Sequence, residues 1–276
     1  MQIFILIFGL LFLFLFGSCS SVPGLENGRV EAMPAVNLFK PKGKASLTSN
    51  GGAQKNPKCS YSSSLRLSDR QTDPTLTLFY GEKISGLELS YEQYKRKRST
   101  GQLSADFGRI GSGSSVETYL KYYGYKIGYT AEVFSYDFSS GIKLGPDYQL
   151  TPRVHLGFGG GIHRIKWILG ANDLDGNIKE RAKCLGYVPY GSLRFQVDMD
   201  VITLRIDQAS SFGDFGEIAT PYYDSFISLR WEVAPSVDLL FGIRKLKFDS
   251  EGHSANNKLK ATTEFNGWTF GLYVVF

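Results

Sequence analysis

Residues 262–276 read TTEFNGWTFGLYVVF. From Trp268 the even positions are Trp268, Phe270, Leu272, Val274 and Phe276, and between them lie Thr269, Gly271, Tyr273 and Val275. An apolar side chain at every second position is the period of a β-strand with one greasy face. In a soluble barrel or sandwich that face turns to a core. In a closed membrane barrel it turns to lipid, and the last strand must pair with the first so that no backbone edge stays open.

The same alternation recurs upstream. Candidate strands are 60–68, 75–81, 86–95, 115–124, 127–137, 141–150, 154–166, 185–196, 199–208, 221–233, 237–248 and 263–276, which predicts a closed antiparallel transmembrane β-barrel of twelve strands. Ten is the alternative, because 60–68 and 75–81 are short and weakly patterned and the connection 138–140 is brief. Connections 81–85, 151–153, 196–198 and 234–236 are short, whereas 96–114, 167–184, 209–220 and 249–262 are long, polar and glycine-containing. Short periplasmic turns and longer outer loops are the habit of such barrels. No segment after residue 18 has the run of about 20 apolar residues that a membrane helix needs, so a membrane is crossed by strands.

The first residues differ in kind. An apolar run at 3–16 followed by Gly17 and Ser18 reads as a secretory signal over 1–18. Residues 19–58 are rich in Ser, Pro, Gly, Asn and Lys and are expected to be a flexible periplasmic linker, with the barrel occupying 59–276.

Alternation sorts side chains between lipid and lumen. Val154, Leu156, Phe158 and Ile162 oppose His155, Gly157, Gly159, Gly161 and His163, and the glycine face is expected to be the crowded interior. The same sorting places Glu88, Glu92, Glu117, Asp207, Asp224, Glu232 and Asp238 in the lumen with Lys121, Arg194, Arg205, Arg230 and Arg244. A cation facing lipid at the midplane costs about 2–4 kcal/mol, so these charges belong inside. Their near-balance points to a salt-bridged, closed lumen; an ion-selective pore would line its constriction with an excess of one sign.

Other chemistry is sparse. A net charge of +5, spread along the chain, makes no case for nucleic acid. Cys19, Cys59 and Cys184 form no CxxC and no Cys/His cluster, so neither a metal site nor a cofactor is expected. Cys59 and Cys184 are expected at opposite ends of the barrel, unpaired. His155, His163 and His253 stand in no hydrolase-like motif, and the chain is read as not an enzyme. The run Lys95-Arg96-Lys97-Arg98 opens an outer loop and suits the phosphates of lipopolysaccharide as well as an ordinary solvated rim.

Three resemblances add to this. The ending is similar to the terminal strand of Gram-negative outer-membrane β-barrels, with Gly271, Val274 and Phe276 at the glycine, hydrophobic and final aromatic positions. That likeness implies recognition by the barrel-assembly machinery. Residues 222–276 resemble small porin-like outer-membrane proteins, with Gly242, Arg244 and Leu246 in one strand and Gly271, Leu272 and Phe276 in the next. The tetrapeptide Phe16-Gly17-Ser18-Cys19 resembles a lipobox, which implies lipidation at Cys19. Together these imply a bacterial outer-membrane barrel among lipid and lipopolysaccharide, and the near-balanced, closed lumen favours a structural or surface-interaction role. A narrow porin-like channel is the alternative, and a lipid-modifying enzyme comes third.

Overall fold

A computed structural model describes residues 28–49, 58–138, 141–143, 149–211, 217–254 and 257–276. The signal at 1–18 and Cys19 lie outside the described residues. Thirteen strands are described: β1 (Arg29–Ser49), β2 (Cys59–Ser60), β3 (Gln71–Glu82), β4 (Ser85–Gln102), β5 (Ser115–Asp137), β6 (Ile142–Lys143), β7 (Gln149–Leu150), β8 (Arg153–Asp173), β9 (Lys179–Met199), β10 (Ile202–Ser211), β11 (Ile218–Ala234), β12 (Val237–Ser254) and β13 (Asn257–Val275). β6 and β7 pair only with each other, and β2 only with β1. The other ten form one antiparallel sheet, which closes where β13 pairs with β1 from Glu31↔Val275 to Ser49↔Asn257.

The barrel therefore has the ten strands of the alternative count, reached by a different route. Residues 60–68 do not make a barrel strand, 141–150 supplies only the β6–β7 pair, and 115–124 with 127–137 is one unbroken strand. The missing member is β1, inside the expected linker, and this corrects that expectation. Pro34, Pro41, Gly43 and three lysines disguise its alternation, yet Glu31, Met33, Asn37, Phe39, Ala45 and Leu47 all point inward and are buried. Gly43 has φ +147°, and a Cβ there would collide with the Thr262 carbonyl across the seam. Tight turns at the end where β1 begins and β13 finishes are made by left-handed Lys83, Asp200 and Ser236.

About 9–11 tilted residues cross a bilayer. β1, β8 and β9 have 21 residues each and β5 has 23, so half of each wall stands clear of the membrane. Much of the expected outer-loop sequence, including 167–173, 179–184, 249–254 and 257–262, is this extended wall. The outward side chains mark the boundary. Leu76, Leu78, Tyr80, Leu89, Phe158, Ile162, Leu193, Ile227, Leu229, Trp231, Phe241, Ile243, Trp268, Phe270 and Leu272 are exposed in a belt around the lower half. Above it, outward positions become Lys40, Lys42, Lys44, Lys95, Lys121, Arg164, Lys166 and Lys183.

Candidate functional site: a sealed lumen

In the upper half the interior is apolar. Residues 58–70 and 103–114 turn inward over the mouth and bury Tyr61, Leu65, Leu67, Phe107 and Ile110. Backbone and side chains stitch them to the wall. Tyr61 N–H donates to the Gly43 carbonyl at 3.0 Å, and Gly108 N–H to that of Leu47 at 2.9 Å. The Tyr61 hydroxyl meets Thr263 Oγ1 at 2.9 Å, and Thr118 Oγ1 donates to the Leu65 carbonyl at 2.5 Å. Beneath them Phe265 is the hub of an aromatic layer, with ring centroids 5.0 Å from Tyr122, 5.1 Å from Tyr94 and 5.8 Å from Phe39. Trp167 and Phe248 are also fully buried in this core.

Cys59 and Cys184 both lie in this upper core and both are free thiols, so they are not at opposite ends of the barrel. In sequence 60–68 reads as a short, weakly patterned strand and 96–114 as an outer loop, so neither announces a plug. Burial raises the Cys59 thiol pKa and pushes that of Cys184 up to about 12.

Below the aromatic layer the lumen becomes ionic. Arg194 donates through Nε to Asp207 at 2.6 Å and through Nη2 to Glu88 at 2.5 Å. Arg205 repeats the pattern, Nε to Asp207 at 2.6 Å and Nη2 to Glu88 at 3.2 Å. Two guanidinium groups thus bridge two carboxylates. A second quartet joins Arg244 and Lys126 to Asp224 and Glu92: Arg244 Nε and Nη2 donate to Asp224 at 2.9 and 2.8 Å, Lys126 Nζ donates to it at 3.1 Å, and Arg244 also pairs with Glu92. Tyr122 donates to Glu92 at 2.5 Å, and His163 sits between the Tyr222 hydroxyl at 2.8 Å and that of Tyr122 at 3.3 Å. Each quartet is electrically neutral, which offsets the cost of taking its charges out of water. A Cβ on Gly124 would strike Tyr122 Oη, His163 Nε2 and Glu92, so only glycine leaves room for this junction.

A cavity of about 80 Å³, room for a few waters, remains between the quartets. Met33, Leu240 and Tyr273 pack together beneath it, with the Arg230 guanidinium 4.1 Å from the centre of the Tyr273 ring. Nearer the termini His155 is buried between Glu132, 2.9 Å from Nδ1, and Asp198, 3.3 Å from Nε2.

Of the twelve charges placed in the lumen by sequence, Glu88, Glu92, Arg194, Arg205, Asp207, Asp224 and Arg244 form the quartets. Arg230 lies lower on the same inner face, within 3.9 Å of Asp198. Asp238 is half-buried and Glu232 exposed, directly opposite each other at the turn that ends β11. Glu117 and Lys121 are corrections: they face outward, while Val116, Thr118, Leu120 and Tyr122 point in and are fully buried. The reason is height. These residues stand above the belt, where the wall has core inside and water outside, so the lipid-facing rule is inverted. Lys126 was overlooked because an assumed break at 125–126 hid it; read without that break, Val116, Leu120, Tyr122, Gly124, Lys126, Gly128 and Thr130 share one face. The side chains of Lys97, Arg98 and His253 lie outside the described residues. Gly271 faces the seam, where a Cβ would meet Ala35, and the backbone N–H of Phe276 donates to the Val30 carbonyl at 2.9 Å.

No family model and no curated protein matches the chain. Among solved structures it is similar to the outer membrane protease OmpT from Escherichia coli, with a TM-score of 0.59 and 10% identity over 94% of this chain and 100% of that one. OprG from Pseudomonas aeruginosa (TM-score 0.36, 14% identity, 93% of this chain and 99% of that one) and Neisserial surface protein A (0.32, 15%, 90% and 97%) also match. At such identities the likeness to the protease carries the fold alone. Closure without a free edge, an apolar belt facing outward and the outer-membrane barrel fold agree, and the chain is an integral β-barrel of the bacterial outer membrane.

Proposed function

We propose that this protein is a sealed outer-membrane scaffold with a structural or surface-interaction role, whose working parts lie on its external half. The observation that carries the reading is the filled upper lumen: Tyr61, Tyr94, Phe107, Tyr122, Trp167, Phe248 and Phe265 are fully buried across the mouth. Water and ions need a continuous polar path, and a packed aromatic layer is the opposite of one. Below it, charges of both signs are consumed in neutral quartets. The same packing argues against an enzyme, since His155 and His163 are both buried and already held by neighbouring side chains. Lipid and lipopolysaccharide around the barrel, and the assembly machinery during insertion, are the partners this reading carries.

Single-channel recording of the folded protein in a planar bilayer tests it, and silence is expected. Steady openings would sink the sealed-scaffold reading. A narrow channel is the second reading, favoured by the charged cavity between the quartets, and it requires residues 58–70 and 103–114 to swing out of the mouth. A disulfide tying the 58–70 segment to the wall, made between native Cys59 and A45C, which are direct partners in the β1–β2 pair, would then abolish any openings seen.

A further inference from the structure

Among the described residues one stretch of the external wall has no strand in its ladder. β3 begins only at Gln71, opposite Phe39 of β1, and its pairing with β4 starts at Thr75↔Glu92. Above that height β4 continues to Gln102 with no β3 residue in ladder pairing with it. The result is a cleft of about 1130 Å³ open to the outside, lined by Arg70, Asp73, Lys95, Arg96, Tyr119 and Lys121 together with Gln71 and Thr72.

Its charge is one-sided. Asp73 is the one carboxylate among the lining residues; it is buried and accepts the backbone N–H of Lys95 at 3.1 Å. Arg96 is held by the exposed Asp69. Among the described residues Arg70, Lys95 and Lys121 make no salt bridge. Lys95 and Lys121 are direct cross-strand partners, an arrangement that is destabilising for like charges unless an anion relieves it. Two lysines on the other side of the external wall do have carboxylates, Lys260 with Glu251 at 2.7 Å and Lys245 with Glu264 at 3.8 Å. Tyrosines frame the cationic cleft: Lys121 lies 5.6 Å from the Tyr119 ring centre, and Lys95 and Lys166 lie 5.4 and 5.6 Å from that of Tyr123.

Height identifies the occupant. On the outward face of β4, Leu89 belongs to the lipid belt and is followed by Tyr91, Gln93 and Lys95. Lys95 is thus about 13 Å along the strand from Tyr91, four residues at ~3.3 Å each, at headgroup level. We infer that the cleft at the end of β3 binds the phosphate-bearing headgroup of an outer-leaflet glycolipid, with Arg70, Lys95 and Lys121 on its phosphates and the acyl chains lying along Leu76, Leu78 and Leu89. This deepens the reading that the external half is the working surface. Lipid retention and conductance are separate readouts, so either can fail alone.

The test is native mass spectrometry of the full chain, folded with bis-phosphorylated lipid A or with the same glycolipid stripped of phosphate. The wild type is expected to retain one bis-phosphorylated molecule. Lys95→Gln combined with Lys121→Gln is expected to weaken retention about thirtyfold, at the usual contribution of a cation near a charged lipid surface. Lys245→Gln with Lys260→Gln, the charge-matched control on the other side, is expected to leave it unchanged. Should the first pair fail to fold, Arg70→Gln alone is read, with about a fivefold loss expected. Equal retention by wild type and cleft variants overturns the site. Equal retention of the dephosphorylated glycolipid overturns the phosphate chemistry, and displacement by an equal concentration of inorganic phosphate overturns the lipid source. Tighter binding of an acidic peptide than of lipid A at the same cleft also overturns it.

Discussion

The two halves of this barrel are built by opposite rules on the same strands. β5 shows both: Val116, Leu120 and Tyr122 fill a core while Lys121 faces water, but twelve residues on, Phe134 is exposed to the lipid level. β8 changes likewise, from Phe158 and Ile162 outside to Ile165, Trp167 and Leu169 inside. Alternation runs unbroken through the switch in β8, and in β5 as far as the bulge between Glu132 and Phe134, so what changes is which solvent each face meets. In the lower half lipid surrounds the wall and the interior must satisfy its charges. In the upper half water surrounds the wall and the interior is an ordinary hydrophobic core. Hydrophobic burial therefore stabilises the upper half directly, whereas the lower half depends on completed ion networks.

That contrast can be broken from either side. The largest effects are expected for Asp224→Ala, which strands Lys126 and Arg244, and Phe265→Ala, which empties the aromatic hub. Each should cost about 3–5 kcal/mol in guanidinium unfolding of the barrel in vesicles. If Asp224→Ala proves neutral, the lower half does not rest on its quartets. Next comes a pair on the outward face of β8: Phe158→Arg, in the belt, is expected to cost about 2–4 kcal/mol, and Lys166→Arg, above it, close to nothing. Equal costs would mean that the membrane boundary is misplaced. Tyr122→Phe removes one charge-assisted hydrogen bond at the junction between halves and is expected to cost about 1.5–3 kcal/mol by the same unfolding assay. The smallest effect is kinetic. Because the thiol pKa of Cys184 is raised to about 12, it stays protonated at pH 8 as well as buried. Alkylation mapped to Cys59 and Cys184 should be negligible in the folded barrel and complete after unfolding, and fast labelling at pH 8 would show that the upper core opens.

The same contrast explains what was legible in the sequence. Where lipid lies outside, alternation gives the right faces: β8, β11, β12 and β13 and the quartet members Glu88, Arg194, Asp207, Asp224 and Arg244 all read correctly. Above the belt the identical pattern inverts, and Glu117 and Lys121 were assigned to the wrong side because height is not encoded in period two. β1 hid for a local reason, since Pro34, Pro41 and Gly43 look like linker chemistry although each fits a strand at this seam. The plug is illegible because Tyr61 and Leu65 lie in a stretch that reads as a weak barrel strand and Phe107 and Ile110 in one that reads as an outer loop, and their burial depends on a mouth that only the closed barrel creates.

The seam between β1 and β13 sets a timetable. Its partners are the first and last of the described strands, so every hydrogen bond from Glu31↔Val275 upward waits until β13 has been made. Pairings this distant in sequence form late and slowly. Until then β1 offers a long unpaired edge carrying Met33, Phe39 and Leu47, and the residues that will plug the mouth have no core to enter. Sealing and closing are therefore one event, and a chain cut short before β13 forfeits both.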